Sequence, residues 1–145
     1  MKRFMVALSV LAIVFFVAGC IFGNDDSNSE GDKRIDVGKS LAGTWSRYGS
    51  NNTTYHVVKF FTYNSDLAVG NFQKRDYAVN KDGSHTQTWT GSGQYMIELK
   101  EDGYEEDMIS LNFWDAYGNL ITTTSYAFSL NGNKLTLSGD VYAKE

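Results

Sequence analysis

The sequence predicts an all-β domain over residues 40–145, an eight-stranded antiparallel up-and-down barrel. Three observations carry the prediction. Turn signals built from Gly, Asn, Asp and Ser recur at hairpin spacing, in a chain of 145 residues that contains no proline. Between them apolar residues alternate at period two, as in Tyr95, Ile97, Leu99 and in Ile109, Leu111, Phe113. In this segment no stretch of comparable length repeats apolar residues at the i, i+3, i+4, i+7 spacing of an amphipathic helix.

The chain opens on a different kind of segment. Met1-Lys2-Arg3 is basic, Phe4 to Val17 is apolar except for Ser9, and Ala18-Gly19 are small. A charged start, an apolar run of this length and a small-residue cleavage site describe a secretory signal peptide over residues 1–19. The run falls short of the roughly 20 residues of a membrane-spanning helix. It ends at Cys20, the only cysteine of the chain. A lone cysteine in an exported protein makes no internal disulfide, so it is free, intermolecular or modified.

Val17-Ala18-Gly19-Cys20 resembles the lipobox of bacterial lipoproteins. That resemblance implies cleavage before Cys20, a diacylglycerol on its sulfur and an acyl chain such as palmitate on the new amino terminus. Each buried methylene contributes about 0.8 kcal/mol, and two or more chains anchor stably where one does not. Cys20 is therefore read as the lipidation site and the membrane as a partner through that anchor, which places the chain in the cell envelope. In such lipoproteins an aspartate after the cysteine is the usual inner-membrane retention signal. Ile21 stands there, so in a cell with two membranes the resemblance favours the outer membrane or the surface.

Residues 20–39 read as the lipidated cysteine and a flexible linker. Their "NDDSNSEGDK" run has no apolar member, a composition that cannot offset its own ordering entropy. A flexible chain of that length would hold the domain roughly 20–25 Å from the bilayer. Without Lys2 and Arg3, the 13 basic residues of the chain fall to 11 against 17 acidic ones, a net charge of −6. No basic stripe is left to release counterions from a phosphate backbone, so no nucleic-acid partner is expected.

Seven turn signals divide the domain into eight pieces: "GSNN" 49–52, "NSD" 64–66, "NKDG" 80–83, "GSG" 91–93, "EDG" 101–103, "DAYGN" 115–119 and "NGN" 131–133. Asn131-Gly132, between Tyr126–Leu130 and Leu135-Thr136-Leu137, is a strong two-residue hairpin signal. Thr122, Thr124, Tyr126, Phe128 and Leu130 share one face of a strand, as do Leu135, Leu137 and Val141. Eight short antiparallel strands close naturally into a barrel, which removes exposed edges. Such a barrel is filled by side chains or holds one small ligand.

"LAGTWSRY", residues 41–48, resembles the opening Gly-x-Trp motif of lipocalins and the wider calycin barrels. "YAFSLNGNKLTLSG", residues 126–139, is similar to the final hairpin of short bacterial lipocalin-like domains. The resemblance implies that Gly43 lets the chain enter the barrel base and that Trp45 plugs it. The chain departs from the family in three ways. Lys144 stands where an arginine usually packs on the tryptophan, Asp115-Ala116-Tyr117 only partly matches the usual Thr-Asp-Tyr, and no helix follows the last strand. The Gly-x-Trp start also resembles avidin-type barrels, but the polar biotin-binding residues of those proteins are not recognisable.

Catalysis finds little support. His56 and His85 fall on separate predicted strands without metal-ligand spacing. Ser92 sits in a Gly-Ser-Gly turn rather than a strand-to-helix elbow. The acidic run 101–107 lacks the order of a calcium loop. No catalytic residue, metal or cofactor is expected.

The 21 Phe, Tyr and Trp residues are the remaining clue. Trp45, Tyr95, Phe113, Tyr126 and Phe128 are expected to face inward, with Thr122 and Thr124 offering hydroxyls. A mostly apolar cup with a few polar groups is how small-ligand sites are built. Two functions follow. In the first, an envelope-anchored barrel binds a small apolar or amphipathic ligand. In the second, a filled barrel presents Trp89, Trp114 and acidic loops to an envelope protein, as an interaction or inhibitor module.

Overall fold

Eight strands close on themselves in chain order. The computed structural model describes residues 28–145 apart from 101, 102 and 104, with side chains described from Lys33. The signal peptide, Cys20 and residues 21–27 of the expected linker lie outside the described residues. The elements are α1 (Asn28–Leu41), β1 (Gly43–Tyr48), β2 (Thr54–Asn64), β3 (Val69–Val79), β4 (His85–Glu98), β5 (Met108–Trp114), β6 (Leu120–Asn131), β7 (Lys134–Leu137) and β8 (Asp140–Lys144). Every neighbouring pair is antiparallel, and β8 returns to β1 through Trp45↔Lys144 and Ser46↔Ala143. The result is the predicted all-β barrel of eight strands. Closure leaves no free edge for another chain to extend.

The strand count agrees with the expectation, but two boundaries do not. Gly91-Ser92-Gly93 is not a turn; it lies inside the fourteen-residue β4. The glycines are there for space. A Cβ at Gly91 would overlap the Trp89 indole, and one at Gly93 would overlap the Asn112 carbonyl oxygen. The missed turn is Ser138-Gly139, where φ of 45° and 93° reverses the chain between β7 and β8. That reversal also corrects the face of Val141. Leu135 and Leu137 are buried as expected, whereas Val141 is 54% exposed and Tyr142 takes the inward place. The β6–β7 hairpin forms one residue later than expected: Asn131 pairs with Lys134, and the loop is Gly132-Asn133, with Gly132 at φ 58° as a tight primed turn requires.

The third difference is α1. Part of the segment read as linker is helical, and its last turn packs on the barrel. Leu41 is fully buried, and Val37 rests against the core cluster. Gly38 completes that face, where a Cβ would overlap the Tyr63 side chain. With glycine as one of three contact residues, the helical apolar period is too short to see. No helix among the described residues is long and apolar enough to cross a membrane.

α1 and Trp45 seal one end. The Trp45 indole is fully buried and its Nε1 donates to the Leu41 carbonyl at 2.7 Å. Lys144 Nζ stands 5.0 Å from the ring centroid and donates to the Ser40 carbonyl at 3.1 Å. Lys144 thus ties β8, α1 and the Trp45 plug together. Above the plug the lower half of the barrel is solid. Phe60 meets Tyr95 edge-on at 5.1 Å and Phe72 meets Phe113 at 4.9 Å. Val58, Ile97, Ile109, Leu111, Leu135 and Phe128 fill the space between.

Candidate binding site at the barrel mouth

Strand lengths create the opening. β7 and β8 have four and five residues, whereas β6 has twelve and β4 fourteen. The long strands therefore rise past the packed core on one side and leave a recess of about 520 Å³ beside it. Phe113 is at its base; Trp89, Thr122, Thr124, Tyr126, Lys74 and Asp76 form its walls.

Register sets a polar tier at this height. Arg47 pairs across to His56, His56 to Asp76 and Asp76 to Trp89. His56 Nδ1 lies 2.7 Å from Asp76 Oδ1, and its Nε2 lies 3.1 Å from Thr54 Oγ1. Arg47 Nη2 donates to Asp140 Oδ2 at 2.6 Å, and its guanidinium lies 5.4 Å from the centre of the Tyr142 ring. Arg47 Nε is buried without a hydrogen-bond partner. Burial raises the Tyr142 hydroxyl above the ordinary 10.0, against a lowering by Arg47. Tyr126 is raised as well, first by burial and then by Tyr142, Asp76 and Asp140. These groups sense one another across the mouth, and both phenols are neutral near pH 7.

Trp89 is the aromatic wall. Its ring lies over Gly91, meets Phe113 at 5.6 Å with an interplanar angle of 69°, and remains 43% exposed. Lys74 Nζ stands 5.8 Å from its centroid. Among the described residues the two arginine- and histidine-bearing pairs have their carboxylates, whereas Lys74 has none.

Of the seven residues expected to line a cup, the structure brings Phe113, Thr122, Thr124 and Tyr126 together at the mouth. Trp45, Tyr95 and Phe128 sit below, in packed core. Tyr95 is fully buried, donates from its hydroxyl to the Phe61 carbonyl at 2.9 Å, and has its pKa pushed far up by burial. Period two places all seven inside the barrel but does not say at what height. The charged members, Arg47, His56, Lys74, Asp76 and Asp140, were missed because a charge on an inward register reads as a solvated face. The signal was present in β3, where Phe72, Lys74 and Asp76 alternate on one face.

The other histidine lies outside the barrel. His85 stacks on Tyr55 at 4.6 Å, within reach of Tyr48 and Tyr77. Tyr55 donates to Glu145 Oε1 at 2.5 Å. Compared with protein-family models, curated proteins and solved structures, the chain matches none significantly.

Proposed function

We propose that this chain is an envelope lipoprotein, anchored through an acylated Cys20, whose barrel mouth binds a small amphipathic ligand. The observation that carries the reading is a half-filled barrel. A solid core ends at Phe113, and above it an aromatic wall faces a tier of ionic and phenolic groups. The ligand's apolar part lies on Trp89 and Phe113, and its head lies toward Lys74. Lys74 alone in that tier lacks a carboxylate among the described residues, so the head is acidic. Pockets with apolar walls and a few convergent polar groups bind ligands of this kind.

The test is tryptophan emission of the full-length protein, two of whose three tryptophans line the recess, titrated with an aromatic carboxylate and with its uncharged amide. The acid is expected to bind and the amide to bind about tenfold more weakly, the effect of losing one charge-assisted contact. Lys74→Met should bring the two together. Equal binding of acid and amide by the wild type would rule out the ionic reading. For the anchor, Cys20→Ala should abolish incorporation of labelled palmitate. A variant that still took up label would end that part of the proposal.

A second reading has its own observation. The β5–β6 hairpin carries Tyr117, Leu120 and Ile121 at its tip, and Tyr117 is 90% exposed. Exposed apolar clusters of this kind mark contact surfaces, which suits an envelope protein as partner. Crosslinking from position 117 in intact cells would capture that partner, and an absence of any adduct would remove the reading.

A further inference from the structure

We propose that the outer wall of the barrel, across β2 to β5, binds a neutral oligosaccharide. The groove borders the mouth recess at Ser92 and Trp114, but its other lining residues are its own, and the proposal does not rest on the mouth. A groove of about 570 Å³ crosses the strands there. Phe61 stands at one end and Trp114 at the other, both exposed, and between them run Asn71, Gln73, Ser92 and Gln94. Neighbouring strands lie about 4.8 Å apart, so the four strands span about 14 Å, room for roughly two or three sugar rings.

The chemistry of the groove is selective. In a chain with 21% charged residues, the side chains between the two aromatics are amides and a hydroxyl. Each of these both donates and accepts, which is what a sugar hydroxyl requires of its partner. The side chains of Asn71, Ser92 and Gln94 make no hydrogen bond within the described chain, so their polar groups are available. The nearby cations stand outside the lining of the groove. Arg75 donates to Gln73 Oε1 at 2.8 Å, and Lys59 Nζ lies 5.0 Å from the centre of the Phe61 ring. Asp115, at the groove's edge, accepts from the Tyr117 and Asn119 main-chain N–H groups at 2.8 Å and from Asn119 Nδ2 at 3.0 Å. Among the described residues Asp115 is the one charged group lining the groove, and its carboxylate is taken up by its own turn.

Two local irregularities build the groove. The register of β5 against β6 shifts between Phe113 and Trp114, and such bulges re-aim a side chain. Gly93 has no Cβ, which lets the Trp114 indole settle against its main chain. The tryptophan is thereby held at the sheet surface and is still 38% exposed. A fixed aromatic ring offers the apolar C–H face of a pyranose a large contact at low entropic cost.

The experiment uses the full-length chain in a detergent without a sugar head group. Maltohexaose, cellohexaose and chitohexaose are the neutral probes, a heparin hexasaccharide is the charged one, and binding is read by calorimetry. At least one neutral probe is expected to bind. Trp114→Ala and Gln94→Ala should each weaken it by about tenfold or more, as loss of a central contact does. Trp89→Ala, which lines the mouth and not the groove, should leave it within about twofold, as residues without shared partners act independently. Gln94 is on the outer wall alone, so its variant keeps the test decisive if Trp114→Ala unfolds. Failure of all three neutral probes, tighter binding of heparin, or indifference to Gln94→Ala would overturn the proposal. Loss of binding in Trp89→Ala would move the sugar to the mouth and would overturn it equally.

Discussion

At the scale of single residues, glycines and tryptophans divide the work of shaping the barrel. Gly91 and Gly93 lie within β4 because neighbouring atoms occupy the space of their Cβ atoms. Gly83 is different: it has φ 80° in a turn, and nothing lies within 4 Å of its missing Cβ. Gly93→Ala is therefore expected to cost about 1–3 kcal/mol or more, since the obstacle is main chain that cannot rotate away. Gly83→Ala should cost only about 1–2 kcal/mol, the strain of a left-handed residue. Denaturant midpoints of the two variants check this, and equal losses would contradict the crowding seen at Gly93. Trp45→Ala and Phe128→Ala should each cost about 3–5 kcal/mol, because both rings belong to the buried core and their loss leaves cavities. A much smaller loss at Phe128 would show that the lower barrel is hollow.

Among the elements, what the sequence revealed depended on whether a side chain or its absence carried the information. The alternating β5 strand was legible because Ile109, Leu111 and Phe113 announce their face, and all three are buried. The sequence pattern divides β4 in two because glycine within a strand and glycine in a turn look alike. It hides the Ser138-Gly139 turn because Leu135, Leu137 and Val141 keep an unbroken period of two across it. α1 was hidden by Gly38, which packs through its lack of a side chain. The mouth was half legible: its threonines and aromatics showed, while the ion pairs needed register. The α1 reading is testable by hydrogen exchange. Amides of the last turn, whose Ala42 N–H donates to the Gly38 carbonyl at 3.1 Å, should be protected like the strands. Gly38→Val should remove that protection while leaving the β5 amides protected, since only the helix is displaced. Exchange at the last turn as fast as in an unstructured peptide would mean that the segment is a linker after all.

For the whole molecule, the barrel is a stack of two environments, a dry aromatic base and an ionic mouth, and its tyrosines report on both. Tyr95 in the base and Tyr126 and Tyr142 nearer the mouth are all raised above 10.0, with burial as the first cause in each case. The unfolded chain, with ordinary phenols, loses these protons first as pH rises. The folded state then holds more protons than the unfolded one, so stability falls with increasing pH. Their contribution is fully present below pH 10.0, the ordinary value, and is lost as pH climbs above it toward the raised folded values. Urea midpoints measured from about pH 8 to about pH 12 should be flat with respect to these groups at first and then drop. Phenolate absorbance from these three raised hydroxyls should appear together with unfolding. Tyr95→Phe separates the terms. It removes the hydrogen bond to the Phe61 carbonyl, at a cost of about 1 kcal/mol near neutral pH, and it should make the alkaline decline shallower. A variant whose decline matched the wild type would show that Tyr95 ionises freely, and that the base of the barrel admits water.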